Sequence, residues 1–368
     1  MKKKLLVLGE SYMNLQMKTN PLQKDEEVTY GSAYSFHPYG DGAATAISAA
    51  KLGGECVFCT KLGDDTYGER LRSYYKSCGL HLSCKEFVKD AQTGMSVTLY
   101  NDVTGGHTYV TKGANLNFTK QDIEDAFSYS PDMFIFPQED ILSQQEELET
   151  ISTAPVPQPS VTDEEAAVDV SVDEMEDFSE TIMFSNDDVT AEMDMLRKLE
   201  QNLAFRAAEM AGERNIDLIV QYNKYTSKFP LHKLDGIKIL VISEEMLYEA
   251  SSIAPTSIDK MLRALIPLSA KIKAKYYIVQ QGNDTSFVYD GKYYDIITIP
   301  PLLKAKAKQE SEHMHGTYIG ALAVRFLETR DIIDACKYAS VASILTRSTF
   351  GCLDHVPTQA EIEEFTAE

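Results

Sequence analysis

The chain has 368 residues, with 56 Asp and Glu against 35 Lys and Arg, a formal net charge of −21. Hydrophobic residues make up 43% and aromatic residues 10%, enough for one large core or two modest ones. The acidic balance argues against a nucleic-acid partner, whose backbone needs clustered Lys and Arg, and the lack of any apolar run near the ~18–20 residues required argues against a membrane span.

The charge is unevenly spread. From Gln121 to Leu196 there is no Lys or Arg, yet 22 of the acids lie there, from Asp122 to Asp194. The remainder carries 34 acids against 35 bases, so a nearly neutral body bears one acidic segment. Within it, residues 143–189 combine Pro, Ser and acids with few large apolar residues, which predicts a flexible insertion unable to offset its ordering entropy. Its apolar island, Phe178 and Ile182–Phe184, is a candidate docking point for a protein partner.

Strand-like apolar runs alternate with helical patterns along the chain, which predicts an α/β layered fold. Lys4–Leu8 reads as a buried first strand; its apolar stretch is shorter than the ~7–15 residues of a secretory h-region. Gly42–Leu52 reads as a small-residue helix, Val57–Lys61 as a strand and Asp65–Ser77 as a helix. Polar hairpins over Leu15–Phe36 and Met95–Thr111 suggest a small sheet projecting from the body, with boundaries near 11–36 and 95–112. Met133–Phe136 is a short strand, Ala191–Gly212 a long helix, and Leu218–Gln221 and Ile239–Ile242 are strands. Helices follow at Glu244–Ala250 and Ile258–Ala270. Strands are expected at Tyr277–Val279, Phe287–Tyr289 and Tyr293–Ile297, then helices at Thr317–Leu327, Asp331–Thr346 and Thr358–Phe365. Six Cys in this length suit a reduced, cytoplasmic protein. Cys56 and Cys59 form a CxxC within a strand, and alternation puts their thiols on opposite faces, against shared metal ligation.

Gly40-Asp-Gly-Ala-Ala-Thr-Ala46, then Gly53, then Gly63-Asp-Asp-Thr-Tyr-Gly68, with Thr93-Gly94 and Gly113-Ala-Asn115, form a long spaced pattern. Thr317-Tyr-Ile-Gly-Ala-Leu322, Phe350-Gly351 and Val356-Pro-Thr358 continue it near the C-terminus. The pattern resembles the PfkB/ribokinase family of carbohydrate kinases. The resemblance implies one ribokinase-like three-layer α/β/α domain over 1–368 with a small β-sheet lid, through which homodimers form in the family. It also implies transfer of the ATP γ-phosphate, with Mg²⁺, to a sugar or nucleoside hydroxyl.

The residues expected to do that chemistry depart from the family pattern. The general-base Asp of the family's C-terminal motif corresponds to Gly316, which cannot accept a proton. The family's Gly-Ala-Gly anion hole corresponds to His313, Met314 and His315, where side chains add bulk at a phosphate; His313 or His315 is a candidate substitute base. Loss of a positioned base removes ~10²–10⁴ in rate. The family's Asn-x-x-Glu, which organises Mg²⁺, corresponds to Ser243-Glu-Glu-Met246, leaving Glu244 or Glu245 as candidate ligands. The nucleotide-phosphate segment corresponds to Gln280–Thr285, where Gly282 is kept. At the sugar end, the family Asp corresponds to Asn14 and the family Asn to Ala44, while Gly40, Asp41 and Gly42 remain. The expectation is a homologue that keeps the scaffold, binds a sugar, nucleotide or protein partner and transfers phosphate weakly or not at all. The alternative is an active ATP-dependent ribose/fructose-type sugar or nucleoside kinase with relocated catalytic groups.

Overall fold

The computed structural model describes residues 3–20, 28, 30–101, 105–139, 141, 198, 201–282, 285–299, 303, 314–346, 353 and 356–366. The acidic insertion expected over 143–189 lies outside the described residues.

In chain order the elements are β1 (Lys4–Leu8), β2 (Tyr12–Thr19), β3 (Gly31–Tyr39), α1 (Asp41–Lys51), β4 (Glu55–Cys59), α2 (Thr66–Ser77), β5 (His81–Leu82), β6 (Met95–Asn101), β7 (Gly105–Thr111), α3 (Lys120–Phe127) and β8 (Met133–Ile135). They continue with α4 (Leu203–Glu213), β9 (Asp217–Tyr222), β10 (Ile237–Ser243), α5 (Glu244–Ser251), α6 (Ile258–Lys271), β11 (Tyr276–Gln281), β12 (Thr285–Tyr289), β13 (Tyr294–Thr298), α7 (Met314–Thr329), α8 (Ile332–Thr346) and α9 (Gln359–Thr366).

The large sheet runs β13-β12-β11-β10-β9-β8-β1-β4-β5. Its strands are parallel from β5 to β11, and β12 and β13 are added antiparallel. A parallel sheet must be covered on both faces, which explains the uninterrupted apolar run of β1. Leu5 and Val7 belong to the core shared with α1, α7 and α8, whereas Leu6 and Leu8 belong to the core shared with α3, α4 and α6. Cys56 and Cys59 divide between the same two cores, as strand alternation requires. The second sheet, ordered β3-β2-β6-β7, stands apart from the first as a lid-like layer.

Two local features escaped the sequence pattern. Of the long helix expected over Ala191–Gly212, residues 191–197 and 199–200 lie outside the described residues, Lys198 and Gln201 are helical, and Asn202 interrupts the helix before Leu203 by accepting the Ala204 N–H at 2.9 Å. Helix α3 is short, and its signal is a capping box: Thr119 accepts from Asp122 N and the Asp122 carboxylate accepts from Thr119 N.

Asp65 shows how the retained signature works. It caps α2 by accepting Gly68 N–H at 2.8 Å, and it accepts Thr93 N–H and Oγ1–H, each at 2.7 Å. Burial opposes its ionisation, but these donors outweigh burial and hold the carboxyl below its ordinary 3.8. Asp65→Ala should therefore cost about 2–3 kcal/mol, a lost cap plus an orphaned Thr93 amide. Urea unfolding at neutral pH measures it. The difference from wild type should shrink as pH falls below 3.8, because a depressed carboxyl contributes stability only while ionised.

Candidate functional site

In an open parallel sheet, ligands gather at the carboxyl ends of the strands. Here that edge brings together the turn after β1, the start of α1 and the segment after β8. Gly9 and Gly42 face each other so closely that a Cβ on either would stand 2.6 Å from the other's Cα. Gly40, at φ +113°, makes the turn into α1 in a conformation that favours glycine. The close approach sets Glu139 against the start of α1, where its Oε1 accepts Gly42 N–H at 3.3 Å and Glu10 N–H at 2.9 Å. Burial first, then the charges of Glu10 and Asp41, raise the Glu139 carboxyl well above its ordinary 4.5.

Glu10 is 2% exposed and lies beside Glu139. Its Oε1 pairs with Lys112 Nζ at 2.6 Å, tying the end of the lid to the body. Its Oε2 accepts the Tyr12 hydroxyl. Burial and then the Glu10 charge push the Tyr12 hydroxyl far up, so it stays a donor. Asn115 fixes the turn by accepting Ser11 N–H at 3.0 Å and donating to Ser11 O at 2.9 Å and Lys112 O at 3.0 Å. Two side-chain carbonyls at this edge, Gln138 Oε1 and Gln221 Oε1, are buried without a hydrogen-bond partner. Gln138 Nε2 meanwhile donates to Thr45 Oγ1 of α1 at 3.1 Å.

Of the expected sugar positions, Gly40, Asp41, Gly42 and Ala44 all lie in or next to the first turns of α1. Asn14 lies in the lid sheet, 1% exposed. Its Oδ1 accepts from Ser96 Oγ at 3.0 Å and Thr98 Oγ1 at 3.3 Å, and its Nδ2 meets His37 Nε2 at 3.1 Å. The acceptor capacity of Asn14 is thus used within the lid, leaving one amide hydrogen.

Gly316 is in the first turn of α7, packed on α1. A Cβ there would stand 2.6 Å from Ala44 Cβ and 2.9 Å from Asp41 O; at Gly320 it would stand 2.5 Å from Thr45 O. Ala44 and Gly316 therefore face one another, and both are small where the two helix backbones nearly touch. His313 lies outside the described residues, and of Met314 and His315 the helical backbone is described. From this first turn α7 reaches across to β12, where Tyr318 OH lies 3.2 Å from Ser286 Oγ.

The expected nucleotide positions gather at the β11–β12 hairpin, with Gln280 in the strand, Gly282 in the turn at φ +56° and Thr285 paired to Gln281. Four strand spacings separate β11 from β1, about 19 Å. Ser243 accepts the Met246 N–H at 3.2 Å as the cap of α5, and Met246 packs into the core. Glu244 accepts from Gln281 Nε2 at 2.8 Å, while Glu245 is exposed. Among the described residues no three His, Cys, Asp or Glu side chains converge to hold a metal ion. Mg²⁺ is commonly held by one or two carboxylates together with phosphates and waters, so Glu244 and Glu245 are the described side chains at this position that could take it.

Glu10, Tyr12, Lys112, Gln138 and Glu139 were not singled out by the sequence. The available signal was Pro137-Gln-Glu139 directly after a short buried strand, the place where a parallel sheet presents its ligands. Glu139→Gln tests the electrostatics. Because the native carboxyl is raised, the folded state holds a proton that the unfolded state has released above about pH 4.5. Wild-type stability should therefore fall relative to Glu139→Gln as pH rises from 4.5 through the native value. Urea midpoints for both proteins between pH 4 and pH 8 measure this; a constant difference would refute it.

Residues 2–154 match the profile described as pfkB family carbohydrate kinase. The chain is 28% identical over 122 residues to deoxyribokinase of Salmonella typhi, a match covering 33% of this chain and 40% of that protein. It is 29% identical over 115 residues to ribokinase of Bacillus subtilis, covering 31% and 39% respectively. The chain thus matches about two fifths of the length of these relatives. Across its whole length it shares the fold of Arabidopsis thaliana ribokinase complexed with ribose and ATP, with TM-score 0.67 and 18% identity over 100% of both chains. It is similarly like phosphofructokinase-2 of Escherichia coli, with TM-score 0.67 and 15% identity over 100% of this chain and 99% of that one. Residues 2–154 thus resemble the pfkB family of carbohydrate kinases, and the whole chain has a ribokinase-like fold.

Proposed function

We propose that the protein binds a small polyhydroxylated carbohydrate between the start of α1 and the lid, and that ordinary phosphoryl transfer is weak or lost. The observation that carries this reading is Gly316: the residue standing where the family has its base lacks a side chain, and Ala44 and the Asp41 carbonyl occupy the space one would need. Binding is supported by the unpartnered acceptors Gln138 Oε1 and Gln221 Oε1, which suit hydroxyl donors, beside the carboxyl of Glu139. The relatives' names, ribokinase and deoxyribokinase, favour a pentose.

The experiment is a thermal-shift series with a sugar panel, with and without Mg·ATP, run beside an ADP-production assay. A sugar at about 100 times its Kd should stabilise by about 2.7 kcal/mol, without sugar-dependent ADP. Sugar-dependent ADP production would instead establish the active-kinase alternative. One observation favours that reading: Glu139 is a buried carboxyl of raised pKa, suited to proton transfer. In that case Glu139→Gln should abolish turnover. Self-association through the lid belongs to the same proposal, supported by Tyr34 on β3 and Tyr109 on β7, 69% and 67% exposed. Sedimentation of Tyr34→Ser/Tyr109→Ser as a monomer, beside a dimeric wild type, would support it.

A further inference from the structure

A second cavity lies at the other end of the large sheet, beside the edge strand β5. Its volume is about 300 Å³, and Arg72, Lys76, His81 and Lys85 line it, with Leu80 and Leu82 as an apolar wall. Among the described residues no acid lines it. The guanidinium of Arg72 lies flat on Phe87, its Cζ 3.6 Å from the ring centroid. Its Nε and Nη2 are buried without a hydrogen-bond partner. Stacking on a ring occupies the faces of a guanidinium and leaves its N–H edge for a planar, bidentate acceptor. Buried donors on a charged group are costly to leave unmade, more so than neutral ones.

Three acids, Glu86, Asp122 and Asp125, line the adjoining, larger cavity of about 710 Å³, which shares Cys84, Lys85 and Tyr129 with this one. Asp122 there is paired with Lys61 at 2.7 Å and capped by Thr119, so it does not serve Arg72. The described lining of this cavity is thus basic and apolar, with four basic side chains, Arg72, Lys76, His81 and Lys85, and no described carboxylate.

We propose that this cavity is an anion site for a small phosphate-bearing ligand, distinct from the carbohydrate site. Arg72 supplies a fixed positive charge in the cavity wall, and Lys76 and Lys85 supply mobile point charges around a dianion. The volume is at the lower end of small-ligand sites, which suits inorganic phosphate or the monoester of a small sugar. The inference rests on the β5 edge alone and does not depend on the carbohydrate reading.

Isothermal titration of the full chain with inorganic phosphate and with ribose 5-phosphate tests it, at about 0.15 M salt where exposed charges are screened beyond about 8 Å. At least one probe should bind saturably. Arg72→Gln and the double variant Lys76→Gln/Lys85→Gln should each weaken it about tenfold or more, and Glu139→Gln should leave it unchanged. Equal binding of both probes identifies the free anion as sufficient; binding of the ester alone identifies a phosphate monoester. The surface variant Lys76→Gln/Lys85→Gln carries the test if Arg72→Gln does not fold. The proposal is overturned if neither probe saturates at millimolar concentration. It is equally overturned if the basic-residue variants bind as wild type, or if Glu139→Gln is the change that removes binding.

Discussion

Gly316→Asp is expected to destabilise the protein by about 3 kcal/mol or more and to leave sugar-dependent ADP production where wild type has it. Placing a carboxylate there should not create a kinase, because the position is a helix contact. A side chain there would enter the van der Waals space of Ala44 and of the Asp41 carbonyl, both belonging to the first turns of α1. Overpacking a rigid contact costs about 1–3 kcal/mol, and burying a carboxylate beside a carbonyl oxygen adds to it. Gly316→Ala separates the two parts, since it carries only the steric cost. Chemical denaturation of both variants, with ADP assays on the folded fraction, measures the outcome. A stable Gly316→Asp protein with sugar-dependent turnover would mean that α1 and α7 separate readily and that the remaining machinery is intact.

Lys112→Met should be at least as damaging, costing about 3–5 kcal/mol. The pair it breaks joins the lid to the body at 2.6 Å, with the Glu10 side chain only 3% exposed. Removing one partner of a buried ion pair leaves the other charge desolvated, the dominant cost. Glu10→Gln/Lys112→Met should therefore recover much of the loss, which a double-mutant cycle in urea reads directly. A pair held mainly by exposed Coulomb attraction would instead show a small loss that disappears in high salt. Because Glu10 N–H also donates to Glu139, the single variant should weaken any ligand held at the start of α1.

The glycine signature and the layered fold were legible because both are local. Gly40 needs its positive φ, and Gly63 and Gly68 stand where a Cβ would meet backbone atoms at 2.4 and 2.1 Å. Such residues are readable as spacing because no other side chain serves there. The apolar runs of β1, β9, β10 and β11 were equally plain, since a strand buried on both faces has no polar positions to confuse its pattern. The polar cluster was not readable. Glu10, Lys112 and Glu139 look like ordinary surface charges in sequence, and they meet only because β1 and β8 are neighbours and the lid folds back over them. Arg72 was hidden for the same reason: an arginine on a mostly polar helix becomes notable only when Phe87 stacks on it and its nitrogens are enclosed.

Local chemistry alone marked out the α/β order of elements, the small-residue helix α1 and the acidic stretch between Lys120 and Arg197. Strand period, turn geometry and residue type act over a few neighbours, so they are written in the chain itself. The consequence of Gly316 is not. Whether a glycine at that place is a vacancy that another group could fill, or a contact that none can enter, depends on how closely α7 approaches α1. Ala44 and Gly316 set that distance together from opposite ends of the chain, and packing of two helix backbones is a property of the assembled core.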